Sequence, residues 1–277
     1  MVEMAGGMTG GPLAWALRTG GVPVPRSRAV QVTLHLTARE FRIRYQAAFF
    51  GWLWALAPAV ARFLVLGLVF SALVAGGGPD YLAELAVGVL AWNWFSAGVS
   101  ASGRSAVDRR DLLGHPTLPR EVVPAVSVLT DAFDYFAALP VLLLVVWLDT
   151  GTLPVTSVLL PTLLVLQGLL ILGLGMAASV ADVYWRDARL AVDLVLSLGF
   201  FVTPVFYTAQ ALADEGLAAL ASWNPMAGLI SAQRQLLVEG VVPPVTDLLP
   251  LTAVCVVVFL SGWIVYRRHA PTFLDQL

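Results

Sequence analysis

The sequence predicts an all-α integral membrane protein of six transmembrane helices. A cytosolic interfacial helix precedes them, and re-entrant outer helices lie between the fifth and sixth. Three observations predict this. The chain is 58% hydrophobic and 12% charged, with a mean hydropathy of +0.82, whereas soluble domains carry about 25% charged residues. Six apolar runs, at 49–75, 81–103, 122–148, 157–181, 190–207 and 246–266, approach or exceed the roughly 18–20 residues that span a bilayer. The arginines fall to one side of these runs. There is no lysine, and with six spans and a cytosolic N-terminus fourteen of the sixteen arginines lie in 1–48, 104–121, 182–189 and 267–277. Cytosolic loops favour such residues, so the bias sets a multi-pass topology with both termini in the cytosol.

Taken in order, residues 1–28 are rich in Gly and Pro, carry Arg18, Arg26 and Arg28, and read as a loosely ordered cytosolic lead. Residues 29–48 alternate apolar side chains with Arg39, Glu40, Arg42 and Arg44, which suits a helix lying at the membrane surface. The stretch FRIRYQAAFFGWLW (41–54) changes character halfway. Arg42 and Arg44 hold the headgroups, Trp52 and Trp54 enter the interfacial aromatic belt, and Gly51 permits a tight bend between the two helices. The span domain then runs over 49–266, and 267–277 is a cytosolic tail.

Arg62, Asp131, Asp134 and Asp193 lie within or near spans, where charges usually face the bundle interior or a water-filled path. Counted from the cytosolic side, Arg62 and Asp134 reach similar depths, roughly 18–20 Å at ~1.5 Å per residue. An ion pair between them, contact of Arg62 with a substrate phosphate, and a misplaced span boundary are all open. The cytosolic segment RSAVDRRDLLGHPTLPRE (104–121) mixes Asp108, Arg109, Arg110 and Asp111, and Gly114 and Pro116 end its helix. DVYWRDARL (182–190) is a short charged island in which Arg186 and Asp187 are placed to pair across a turn. Residues 208–245 are too long for a simple outer loop, since bundled helices are joined by about 2–8 residues. There Asn224 is placed to cap a helix, with Pro225 in its first turn. Ala227, Leu229, Ile230, Leu236 and Leu237 are apolar enough to dip into the outer leaflet, which is tolerated where the backbone is buried in protein. A surface amphipathic helix is the alternative.

The composition excludes several functions. All three histidines, His35, His115 and His269, fall in predicted cytosolic segments, so no span offers a Ser/His dyad or a histidine metal site. The single cysteine, Cys255, cannot build a disulfide or a cysteine-metal framework within one chain. GVSASG (98–103) faintly suggests a nucleophile turn, but its partner base is missing. A P-loop needs a lysine to reach the nucleotide phosphates, and none occurs. Net charge is −2, so nothing points to nucleic acid. The first long apolar run begins too late to be a cleavable secretory signal.

Four segments resemble the ABC-2 type permeases that export polysaccharides. RYQAAFFGWLWALAPAVARFLVLGLVFS (44–71) is similar to that family's Arg-Tyr … Leu-Gly-x-Leu-Trp entry, with Phe50 replacing a leucine. LPREVVPAVSVL (118–129) is similar to its Phe-Pro-Arg-Glu segment, with Leu118 for phenylalanine. DVYWRDARLAVDLVLSLGFFVTPVFY (182–207) matches a Tyr-Phe-Arg-Asp … Phe-x-Ser-Pro-Val-Phe-Tyr pattern, with Trp185 and Thr203 substituted. NPMAGLISAQRQLLVEG (224–240) matches Asn-Pro … Arg-x-x-Leu … Gly.

The resemblance implies the permease subunit of an exporter in the cytoplasmic membrane, not an enzyme in itself. It implies a homodimer over a dimer of ATP-binding subunits, with ATP and Mg in that partner and no cofactor in this chain. The cargo would be a lipid-linked glycan. It implies contact with the ATPase through Arg39, Arg42, Arg44, Asp108, Arg109, Arg110, Asp111, Arg186 and Asp187, and an outer gate at Trp223, Asn224, Pro225 and Arg234. Sugar rings stack on aromatic faces, so the substrate path would run past Trp52, Trp54, Arg62, Trp92, Trp94, Phe95, Phe200, Phe201 and Tyr207, although packing also explains such aromatics. Two other functions stay open at this point. One is a permease for a small lipophilic drug or lipid. The other is a membrane-embedded lipid glycosyltransferase using Asp131 and Asp134, which share a helix face.

Overall fold

The computed structural model describes residues 26–45, 57, 60, 61, 63–65, 80–114, 118–185, 187–207 and 223–276. The lead up to residue 25, Trp52, Trp54, Arg62, Arg186, most of the first predicted span and 208–222 lie outside the described residues.

Among the described residues every regular element is helical. The helices are α1 (Arg26–Tyr45), α2 (Tyr81–Asp108), α3 (Arg110–Leu113), α4 (Val122–Thr150), α5 (Leu160–Tyr184), α6 (Ala188–Val202), α7 (Pro225–Arg234), α8 (Val245–His269) and α9 (Phe273–Gln276). Four stretches, Tyr81–Asp108, Val122–Thr150, Val155–Tyr184 and Val245–Gln276, are long and apolar enough to cross a membrane. In lipid every backbone polar group must be satisfied internally, and continuous helices of this length achieve that.

The predicted fifth span, 190–207, is cut short. α6 is 15 residues long, about 22 Å at ~1.5 Å per residue, against a hydrocarbon core of about 30 Å. The cause is local. Pro204 pushes the residue before it out of the helical region, and Thr203 is extended at φ −85°, ψ 138°.

α2 is the most buried of the four long helices and α8 the least. α2 packs along α4 and α5, and α5 packs along α8. Small residues make these approaches possible, as they do between membrane helices generally. A Cβ on Gly175 would sit 2.4 Å from the Ser102 hydroxyl, and one on Gly262 only 2.0 Å from the Gly173 carbonyl. The main core fills the space among α2, α4, α5 and α7. A second cluster closes the arginine-rich end of the bundle. There the rings of Tyr266 and Phe273, both fully buried, lie 5.4 Å apart against Leu113, Val123 and Met176. Residues 270–276, within the expected tail 267–277, pack back against this cluster. Ala270–Thr272 form a 3₁₀ turn, Tyr266 donates to the Arg120 carbonyl at 3.1 Å, and Arg120 donates to the Ala270 carbonyl.

α1 covers 26–45 of the described residues, overlapping most of the expected 29–48. It does not simply float on a surface. Thr37 is fully buried, Phe41 stacks on Phe133 of α4 at 5.4 Å, and Arg39, Arg42, Val30, Leu34 and Ile43 face outward.

Candidate functional site

An open groove of about 880 Å³ lies between α2, α4 and α6, with Arg44 of α1 and residues Ala61 and Val65 on its rim. Its two parts differ in chemistry. Towards the arginine-rich end the wall is polar, formed by Arg44, Arg104, Asp131, Asp134, Ser100 and Asp193. Further in, it is aromatic, formed by Trp92, Trp94, Tyr135 and Phe200.

The polar part is held by a small number of contacts. One guanidinium nitrogen of Arg44 lies 2.8 Å from both Asp131 and Asp134. These two carboxylates sit three residues apart on α4, one turn of helix, so a single cation from α1 reaches both. Asp131 is 6% exposed and Asp134 24%, whereas Arg44 is 38% exposed. The second oxygen of Asp131 is buried with no hydrogen-bond partner. On the facing wall Ser100 donates to Asp193 at 2.6 Å, and Arg104 approaches its other oxygen at 4.0 Å. The described partner of Asp134 is thus Arg44. The Arg62 side chain, one candidate for that pairing, lies outside the described residues.

The predicted aromatics divide. Trp92 packs on Phe95 at 5.1 Å and on Phe200 at 6.2 Å, and Trp94 packs on Tyr135 at 5.2 Å. Ring contacts continue from Phe200 to Phe206 at 5.8 Å and from Phe206 to Tyr207 at 4.9 Å. Phe95 sits behind Trp92 rather than on the groove, and Phe201 is largely exposed on the outside of α6.

At the arginine-rich end the charged segments also divide. The helix expected over the first part of 104–121 is the last turn of α2, which breaks at Arg109 (φ −122°, ψ 42°) before the single turn of α3. Arg109 turns inward, donates to the Ser127 hydroxyl and lies 3.7 Å from Glu40 of α1. Arg110 and Asp111 face outward. In the second island Asp187 is exposed, and the described ion pairs belong to Arg189, 3.2 Å from Asp182 and 3.6 Å from Asp108. The Asp182 hydrogen bond raises the Arg189 guanidinium above its ordinary value.

At the opposite end α7 is buried against α2, α5 and α8. The alternative of a surface amphipathic helix does not hold, because Met226, Ala227, Leu229, Ile230, Gln233 and Arg234 are all buried. Asn224 caps the helix by accepting from the Met226 amide at 3.0 Å, and it donates to the Thr203 hydroxyl at 2.7 Å. Pro225 occupies the first turn, and Trp223 is exposed. Arg234 is 7% exposed and donates to three backbone carbonyls, Glu84 at 3.1 Å, Tyr207 at 3.0 Å and Val205 at 2.7 Å. Gln233 donates to Gln167 at 2.8 Å, which donates to the Ala91 carbonyl at 2.9 Å. That chain ties α7, α5 and α2 together. Sequence reading missed both glutamines. Gln167 carries a signal, a lone amide in an otherwise apolar run, where an unpaired polar group is costly; Gln233, close to Arg234 and Gln235, carries none.

The family model described as ABC-2 type transporter matches residues 31–238. The chain belongs to the ABC-2 type transporter family. It is 30% identical over 246 residues to the O-antigen export system permease protein RfbA of Myxococcus xanthus, covering 88% of this chain and 94% of that one. It is 25% identical over 208 residues to the protein of the same name from Klebsiella pneumoniae, covering 74% and 80%. It is 22% identical over 247 residues to the polysialic acid transport protein KpsM of Escherichia coli, covering 87% and 94%.

Proposed function

We propose that this ABC-2 chain is the permease subunit of an exporter that moves a lipid-linked polysaccharide across the cytoplasmic membrane. A separate nucleotide-binding subunit hydrolyses ATP, because a chain without lysine cannot build a P-loop. The relatives named for O-antigen export, matched over most of their length, support the polysaccharide. The observation that carries the reading within this chain is the groove. It joins a charged mouth to a wall of ring faces, which suits a ligand with polar headgroup and sugar rings.

In this reading the arginine-rich end faces the cytosol, both termini lie there, and six segments cross the membrane in each half of a homodimer. Arg39, Arg42, Arg110, Asp111 and Asp187, all outward-facing, contact the ATPase together with Arg186. Arg44, Asp108 and Arg109, tied within the chain, hold that surface in shape. Trp92, Trp94 and Phe200 lie along the substrate path with Trp52, Trp54 and Arg62. Phe95, Phe201 and Tyr207 back it. The buried α7, with Trp223, Asn224, Pro225 and Arg234, forms the outer gate.

The test is removal of this chain from cells that make the polymer. Polymer should then accumulate on the cytosolic side, and the purified chain should hydrolyse ATP only with its partner. Normal surface polymer after removal, or turnover by the isolated chain, would sink the reading.

A further inference from the structure

We propose that the groove selects an uncharged, hydroxyl-rich glycan and rejects a polyanionic one. This rests on the polysaccharide reading above and narrows its substrate class.

Charge in the groove wall is the first argument. Its described charged residues are Arg44 and Arg104 against Asp131, Asp134 and Asp193, two positive and three negative. Arg62 lies outside the described residues, and counting its charge would bring the balance no further than neutrality. A path for a polymer with a carboxylate on every unit would need the opposite balance.

The second argument is that both arginines are engaged. Arg44 is held at 2.8 Å by Asp131 and by Asp134, and Arg104 lies 4.0 Å from Asp193. An anion drawn to either guanidinium would meet the carboxylates already beside it, Asp131 and Asp134 at Arg44 or Asp193 at Arg104, and like charges set side by side suppress binding.

The third argument is what the wall offers instead. The Asp134 and Asp193 side chains, 24% and 46% exposed, present carboxylate oxygens to the groove, and ionised carboxylates are acceptors only. Sugar hydroxyls are donors that match them, and charge-assisted hydrogen bonds of this kind are the stronger ones. Trp92, Trp94, Tyr135 and Phe200 supply ring faces beside them. Acceptors next to ring faces fit the hydroxyl edges and C–H faces of a neutral sugar.

The test uses the complete transporter, this chain with its nucleotide-binding partner, in proteoliposomes. The probes are two oligosaccharides on the same polyprenyl diphosphate, a hexose oligomer and its analogue oxidised to uronic acids at C6. The carrier phosphate is common to both, so the comparison isolates the charge of the glycan. The hexose probe should cross at least about tenfold faster than the uronate probe. Asp134→Asn and Asp193→Asn should narrow that gap by speeding the uronate. Equal rates in the wild-type transporter, or a faster uronate, would overturn the proposal, and that comparison does not depend on the variants folding. Failure to move either probe, with ATP hydrolysed, would instead remove the polysaccharide reading and this proposal with it.

Discussion

Arg234 and Arg44 each fasten an accessory helix to the bundle, and they do it in opposite ways. Arg234 ends α7 with its guanidinium buried on three backbone carbonyls. Arg44 ends α1 with its guanidinium half in solvent, shared between two carboxylates. Carbonyl acceptors belong to the backbone, so nothing can replace or titrate them without moving a helix. Carboxylate acceptors are side chains that can exchange partners, and their attraction is ionic and screened where water reaches it. The difference teaches how one residue type builds a fixed joint at one end of a membrane bundle and a releasable joint at the other. In the transport reading the fixed joint lies at the exit and the releasable one at the cytosolic mouth.

The largest effect should come from breaking the fixed joint. Arg234→Met leaves the carbonyls of Glu84, Val205 and Tyr207 without their shared donor in a buried site. Hydrogen bonds to charged groups contribute about 1.5–3 kcal/mol each and are not additive, so a total loss of roughly 3–5 kcal/mol is expected. Thermal unfolding in detergent measures it. Arg234→Lys should recover only part, because an ammonium lacks the planar fork that reaches three separated carbonyls. A melting temperature unchanged in Arg234→Met would mean that the carbonyls find water and the joint is not fixed.

Gly88 tests the same joint without touching its charge. A Cβ there would meet the Val205 carbonyl at 2.4 Å and a guanidinium nitrogen of Arg234 at 3.1 Å. Gly88→Ala should therefore cost about 1–3 kcal/mol as overpacking. At the other end of α2, Gly103→Ala meets only the Ala178 methyl at 3.0 Å and should cost less. Equal costs in the two melts would show that the exit end yields as readily as the mouth.

At the releasable joint the expected behaviour is rescue. Arg44→Leu strands Asp131, and the loss should be about 1–3 kcal/mol, reduced from a fully buried pair because Arg44 is partly solvated. Adding Asp131→Asn and Asp134→Asn should restore much of it, since removing both sides of a buried pair is often neutral. No matching rescue exists for Arg234, whose acceptors are main chain. If the triple variant melts no higher than Arg44→Leu alone, the two joints are of one kind.

Much of this fold was legible in the sequence because lipid leaves the backbone few choices. Four of the six long apolar runs are long helices with ends close to those expected; most of the first lies outside the described residues. Asn224 and Pro225 were legible because capping is local chemistry. The short α6 was within reach, since Thr203-Pro204 stands in the sequence and the residue before proline avoids the helix. Composition outvoted it because the apolar run continues through Phe206. That Arg44 reaches Asp134 was not legible, because the two lie 90 residues apart and depth counting takes no account of a helix packing against α4; the expected pairing with Arg62 lies outside the described residues. Arg109 and Arg110 are alike by composition, yet the break of α2 between them turns one inward and the other out. Only the phase of a helix end decides that.

The smallest expected effect is the one that separates the two joints most cleanly. Salt shortens the reach of charge, from a Debye length of about 10 Å at 0.1 M to about 3 Å at 1 M. The Arg44 joint is ion against ion with its cation 38% exposed, so its closed form should lose stability as salt rises. Partly exposed pairs contribute about 0.2–1 kcal/mol, which sets the scale at roughly a two- to threefold rise in opening. The Arg234 joint is ion against neutral dipole in a buried site, and there the ions in solution have little to screen. Hydrogen exchange should therefore quicken over the last turn of α1, residues 41–45, between low salt and 1 M, while residues 227–234 of α7 hold their protection. A matching rise in both helices would place both guanidinium groups in reach of solvent. No rise in either, beside a destabilised Arg44→Leu, would mean that the mouth is as dry as the exit and that α1 is held as firmly as α7.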